Sequence, residues 1–314
     1  MKLDERKPWA FLDDWRGKEF SGEWPTIPEM FRISAKRYGE RNCFTSFEPD
    51  RVTLTYGEAL ARIETLAAWL ASKGVRRGDR VAVSGKNSPE WAVAYIATMF
   101  AGATVVPIDY GLHDHEIENL LRASEPKIFF VDEEKYDHFA SIAQGWSLYS
   151  LSRKYMETYI YGLNTAEAQN IEGAAETDLA AIMFTSGTTG NPKGVMLTHR
   201  NLVSDCYIAQ TNLSIYHTDV FYALLPIHHS YTMLAVFIEA MSVGAEIVFG
   251  KSMAVSKMLK ELREGKITML LGVPLLFNKL LAGIMKGIKD KGPIVYGLIK
   301  TMMGISYLIK KTTG

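Results

Sequence analysis

Cysteine is almost missing from this chain. Cys43 and Cys206 are the whole complement of 314 residues and form no CxxC pair, which leaves no disulfide framework and points to two buried thiols in a reducing compartment. Net charge is missing too: 35 Lys and Arg balance 35 Asp and Glu. No global field therefore draws the chain to nucleic acid, and any anion site must be local. No uncharged apolar run reaches the roughly 18–20 residues that a membrane-spanning helix needs. The nearest, Pro293 to Ile309, is interrupted by Lys300 and followed by Lys310 and Lys311; it suits lying on a membrane better than crossing one. Met1 to Trp15 mixes acids and bases around no apolar core, so no secretory signal is expected. The seven histidines include His113-Asp-His115 and His228-His229, neither in HExxH nor in Cys/His spacing, which favours surface or packing roles over a metal site. The expected location is cytoplasmic, with contact at most on the inner face of the membrane.

What is present is an ordinary globular composition, 47% apolar and 22% charged, in a chain long enough for two packed units. The first fifty residues are turn-rich and read as an irregular arm leading to a short helix near Met30. From Thr53 a strand–helix alternation begins. Glu58 to Ser72 puts Leu60, Ile63, Leu66, Ala67 and Leu70 on one face, with Gly74 as terminator. Arg80 to Ser84 is a strand, and Ser88-Pro89-Glu90 opens a helix with Ser88 as N-cap. Thr104–Ile108 and Lys127–Val131 are too apolar for a surface strand and imply a parallel sheet covered on both faces. Tyr155 to Thr177 lacks periodicity and reads as a link. Strands resume at Leu179–Phe184, Val220–Leu225, Ala245–Phe249 and Ile267–Val273. The class is α/β, organised as an arm and first helix over 1–50, one α/β subdomain over 51–177 and a second over 178–314.

The most informative stretch is Thr185-Ser-Gly-Thr-Thr-Gly-Asn-Pro-Lys193-Gly194, between two apolar runs. Its glycines permit close backbone approach to an anion. The hydroxyls of Thr185, Ser186, Thr188 and Thr189 add donors that suit phosphate oxygens and can meet Mg²⁺. Lys193 adds a point charge whose charge-assisted bond is worth about 1.5–3 kcal/mol. Pro192 before and Gly194 after Lys193 exclude a Walker A loop, and the following residues read as strand, so a helix dipole is not the main attractor.

Thr185 to His199, TSGTTGNPKGVMLTH, closely resembles the signature loop of the AMP-binding (adenylate-forming) superfamily of acyl-CoA synthetases, luciferases and peptide-synthetase adenylation domains. Leu54–Glu58, Gly78–Ala82, Asn87–Trp91, Ala101-Gly102, Val106-Pro107 and Leu225–Tyr231 resemble that family's N-terminal half in order, so the likeness covers roughly residues 25 to 314. It implies layered, largely parallel β-sheets flanked by helices, the N-terminal domain of such enzymes. It also implies a two-step reaction in which a carboxylate attacks the α-phosphate of ATP and CoA then takes the acyl group. It assigns the ATP phosphates to Thr185, Ser186, Gly187, Thr188, Thr189, Gly190 and Lys193, with Thr185 as candidate Mg²⁺ contact. His229, three residues after Pro226, matches the histidine that borders the acyl site, with a positioning or gating role. Val273-Pro-Leu-Leu-Phe277 and the lysine-dotted, Met-bearing residues after it resemble the long-chain fatty acid branch, and suit acyl chains or a bilayer surface.

The family's later aromatic-Gly-x-Thr-Glu element, its ribose-binding Asp and its lid lysine have no counterpart here, so the expected fold is incomplete at the C-terminus and its magnesium-ligand Glu is absent. The expectation is a fatty acid–CoA ligase portion, inactive alone, that associates with a C-terminal half or with itself. A non-catalytic nucleotide- or acyl-binding module, or an adenylating enzyme for another acid, is the alternative.

Overall fold

The computed structural model describes residues 8–167, 169–185 and 192–313. Two sheets are built mainly of parallel strands. The first has the order β2-β1-β10-β9 and the second β6-β5-β3-β4-β7-β8. In the first, β1 (Asn42–Ser46) pairs antiparallel with β2 (Val52–Thr55) and parallel with β10 (Glu246–Phe249), which pairs parallel with β9 (Val220–Ala223). In the second, β3 (Arg80–Ser84), β4 (Thr104–Ile108), β5 (Ile128–Val131), β6 (Ser147–Ser150) and β7 (Leu179–Thr185) run parallel. β8 (Lys193–Thr198) closes the edge antiparallel to β7.

Alternation along the strands builds the layers. Val81 and Val83 of β3, with Phe221 and Ala223 of β9, face one central core between the sheets. That core is filled by α1 (Ile27–Tyr38), α2 (Tyr56–Ser72) and α3 (Pro89–Phe100). Every residue of α3 except Glu90 is buried, as expected of a helix apolar on all sides. Ala82, Val106 and Phe129 point the other way, under α4 (Asp114–Ser124) and α5 (Glu133–Ile142). Tyr222 and Val248 point outward from the first sheet. Between β8 and β9 stands α6 (His199–Ala209). After β9, α7 (Ser230–Thr232), a π-helical stretch Met233–Ile238 and α8 (Glu239–Val243) form one continuous segment. The chain continues through α9 (Val255–Glu264), α10 (Pro274–Lys289) and α11 (Pro293–Thr313).

The layered, largely parallel architecture agrees with the sequence expectation, and Cys43 and Cys206 are both buried. Ser88 caps α3, accepting from the Trp91 N–H at 3.1 Å, with Pro89 in the first turn. Two local expectations are corrected. The arm is not irregular throughout, because Asn42–Ser46 is a strand paired to residues some two hundred positions later. Ile267–Val273 is not a regular strand: only Met269 bridges Phe221. There the Thr268 hydroxyl takes the Val220 N–H in place of a ladder bond, and Pro274 at the first turn of α10 diverts the chain into a helix. Both sheets draw strands from either side of residue 177, since β7 and β8 complete the second sheet and β1 and β2 the first.

Glu239 is an unusual core residue. It is 2% exposed, and its Oε1 has no hydrogen-bond partner among the described residues. Burial pushes its carboxyl from an ordinary 4.5 up to about 7, with Gln210 and Cys206 acting in the opposite direction. The folded chain keeps this proton where the unfolded chain has lost it. Stability therefore declines as pH rises from about 4.5 to about 7.

Candidate functional site

Parallel strands present their carboxyl ends on one side of a sheet, where open α/β folds place ligands. The candidate residues lie in the loops on that side. Thr185 ends β7 and pairs across the antiparallel edge with Lys193, the first residue of β8. The Thr185 hydroxyl lies 3.5 Å from the Lys193 carbonyl, and both residues are exposed. Gly194 follows because a Cβ there would come within 2.8 Å of Ile182 Cγ2. The flanks of the expected phosphate loop are thus an open hairpin root carrying a hydroxyl and a cation. Ser186, Gly187, Thr188, Thr189 and Gly190 lie outside the described residues.

The matched stretch ends in a structural residue. His199 is 1% exposed, and its Nδ1 accepts the Ile27 N–H at 3.2 Å, fastening α6 to α1. Burial pushes its pKa down to about 4, so it stays neutral.

The second sheet's β3 and the first sheet's β9 are joined by one side chain. Asn87, just past β3, donates from Nδ2 to the carbonyls of Ala223 and Leu225, each at 2.9 Å. Its Oδ1 accepts the Ile227 N–H at 3.1 Å. This clamp sets the course of the chain into His228 and His229. The Thr232 hydroxyl donates to the Pro226 carbonyl, and the Met233 N–H to the His229 carbonyl at 2.8 Å. The histidine pair therefore sits at the mouth of α7.

The two rings have different surroundings. His228 is 6% exposed and His229 is exposed, with ring centroids 4.3 Å apart. Burial pushes His228 down to about 4, with Asp109 opposing the shift and His229 adding to it. His228 Nε2 lies 3.3 Å from Asp109 Oδ1. Asp109 itself follows β4. β4 lies beside β7, whose last residue is Thr185. Asp109 thus ties the end of β4 to the histidine pair.

Sequence reasoning had marked Thr185, Lys193 and His229, and the structure brings all three to the carboxyl ends of the strands. It had passed over Asn87 and Asp109. The signal available was position: a polar residue directly after an apolar parallel strand, as in Ser84 to Asn87 and Ile108-Asp109.

Known proteins share this fold. The AMP-binding enzyme family matches residues 31–304. Fatty acyl-CoA synthetase B of Dictyostelium discoideum is 27% identical over 328 residues, covering 95% of this chain and 47% of that protein. L-proline–[L-prolyl-carrier protein] ligase of Streptomyces coelicolor is 29% identical over 275 residues, covering 81% and 50%. The crystal structure of ATP-bound MatB from Rhodopseudomonas palustris superposes with a TM-score of 0.70 at 29% identity, over 82% of this chain and 51% of that one. The chain spans about half the length of the curated relatives it matches. A likeness that runs through both sheets and across the hairpin root leaves one assignment: this chain belongs to the family of AMP-binding enzymes, the adenylate-forming ligases.

Proposed function

We propose that this chain is the ATP-phosphate- and acid-binding portion of a fatty acid–CoA ligase, which activates a long-chain fatty acid as acyl-adenylate and passes it to CoA. The family consists of ATP-dependent acid–thiol ligases. The observation that carries the reading is the open Thr185–Lys193 hairpin root at the carboxyl end of β7, which presents a hydroxyl and a cation together.

The chemical difficulty is an anion attacking a polyanion, and positioned cations and donors must offset the repulsion. In this reading Lys193 neutralises the outer phosphates. Thr185, with Ser186, Gly187, Thr188, Thr189 and Gly190, grips their oxygens. The exposed cation and hydroxyl fit a phosphate group, while no carboxylate of this chain is assigned to magnesium. Magnesium, bound with ATP and against Thr185, would supply further neutralisation. His229 orients the acid's carboxylate, and the neutral His228 beside it adds no charge. CoA is the thiol acceptor.

The choice of a long-chain acid is supported by α10 and α11. Leu275, Leu281, Ile284, Leu298, Met302 and Ile305 are exposed there, and Met-rich apolar helices suit flexible acyl chains. The relatives' names include L-proline and ferulate as well as long-chain acids, so the acid itself is the quantity to test. Supplied with the C-terminal half of a relative, the chain is expected to exchange pyrophosphate into ATP with long-chain fatty acids and not with proline or ferulate. The reverse preference would overturn the long-chain choice. The chain by itself is expected to catalyse neither half-reaction, and acyl-adenylate made by it alone would overturn the division of labour.

α11 supports a peripheral membrane contact. No described helix is long and apolar enough to cross a membrane. α11 nevertheless exposes Ile294, Leu308 and Ile309 beside Lys300, Lys310 and Lys311, the composition of an interfacial helix on anionic lipid. Flotation with phosphatidylserine vesicles at low salt should carry the chain upward and fail at high salt. Equal recovery with neutral vesicles would remove the electrostatic part, and no flotation would remove the contact altogether.

A further inference from the structure

Asp109, His228 and His229 each offer one ligand atom, and the three atoms lie within 4.8 Å of one another, the one such group among the described residues. The three come from loops of different sheets, Asp109 from the end of β4 and the histidines from the loop after β9. His228 supplies an independent sign. It is 6% exposed, and its Nε2 is buried without a hydrogen-bond partner among the described residues. Asp109 Oδ1 lies 3.3 Å away. That spacing equals the edge of a tetrahedron with metal–ligand bonds of about 2.0–2.1 Å, which is about 3.4 Å.

We propose that Asp109, His228 and His229 form a binding site for a divalent transition-metal ion of the zinc or cobalt type. Two imidazoles and one carboxylate suit these ions, whereas magnesium and calcium need a shell of oxygens. The Gly111 N–H donates to Asp109 Oδ1 at 2.8 Å and so orients the carboxylate. His229 is exposed, so its ring can turn inward to shorten the longer separations, and solvent can occupy the fourth position. The site does not depend on the acid-binding role given to His229 above.

The test uses the whole chain, stripped with a chelator and titrated with Co²⁺. The expected result is a visible d–d absorption that saturates at a single site and is displaced by Zn²⁺. Burial of His228 puts its replacement at risk of misfolding, so the exposed His229 is the primary variant. His229→Ala and Asp109→Ala should each weaken binding by at least about tenfold, with thermal melts confirming that both variants fold. His113 and His115 stack with centroids 5.8 Å apart and are the rival imidazole pair, so His113→Ala should bind as the parent does. A spectrum no different from the aqueous ion, unchanged binding in folded His229→Ala, or loss of binding in His113→Ala would each overturn the proposal.

Discussion

Lys193→Ala, measured with a C-terminal half supplied, is expected to lower ATP–pyrophosphate exchange by about a hundredfold or more. The residue is exposed at the start of β8, where substitutions usually change stability by less than about 0.5 kcal/mol. A loss of rate can therefore be read as a loss of phosphate handling. A charge-assisted bond to the ground-state phosphates alone is worth about 1.5–3 kcal/mol, roughly ten- to a hundredfold in affinity. A larger fall in kcat than in apparent affinity would place the lysine's main effect on the charge that develops during attack. Lys193→Arg should recover part of the rate, since the charge remains while its shape and reach differ. Exchange unchanged in Lys193→Ala would remove the phosphate role from this hairpin.

Asn87→Ala should cost about 3 kcal/mol of stability, far more than a typical polar substitution. The side chain meets two carbonyls and one N–H, those of Ala223, Leu225 and Ile227. Truncation leaves these groups without partners in a site that is 5% exposed, and each such group costs about 1–3 kcal/mol before water or relaxation recovers some of it. Denaturant midpoints and thermal melts measure the loss, which at this chain length corresponds to a fall of roughly 5 °C. Asn87→Asp is the sharper comparison, because it preserves size but removes both donors to the carbonyls. Ser88→Ala, next to it, removes one cap and should cost only about 1 kcal/mol. If Asn87→Ala melted with the parent, the clamp would not be holding the histidine loop.

Much of this frame was legible in the sequence, for reasons that can be named. β3 and β4 were bounded to the residue because their apolar runs are short, β-branched and flanked by charge or glycine. α3 announced itself through Ser88 and Pro89, whose preference for the first turn is local chemistry. β1 was missed because Asn-Cys-Phe-Thr-Ser has no alternation to read: four of its five residues are buried, and its partner β10 is distant in sequence. Ile267–Val273 misled in the opposite direction, with strand composition but no ladder beyond one bridge. At the candidate site, the residue types suited to chemistry stood out, whereas the residues that hold their loops did not. Asn87 and Asp109 reach the histidine loop from more than a hundred positions away, and no spacing rule reaches that far.

The convergence of loops at the carboxyl edge of both sheets has an evolutionary consequence. The strands behind those loops are packed on two faces and tolerate little change, while the loops ahead of them can be replaced piece by piece. One inherited frame can thus be refitted for different small molecules, with the sheets left in place. Selectivity would then be the quickest property of such a chain to diverge, and the layered sheets the slowest.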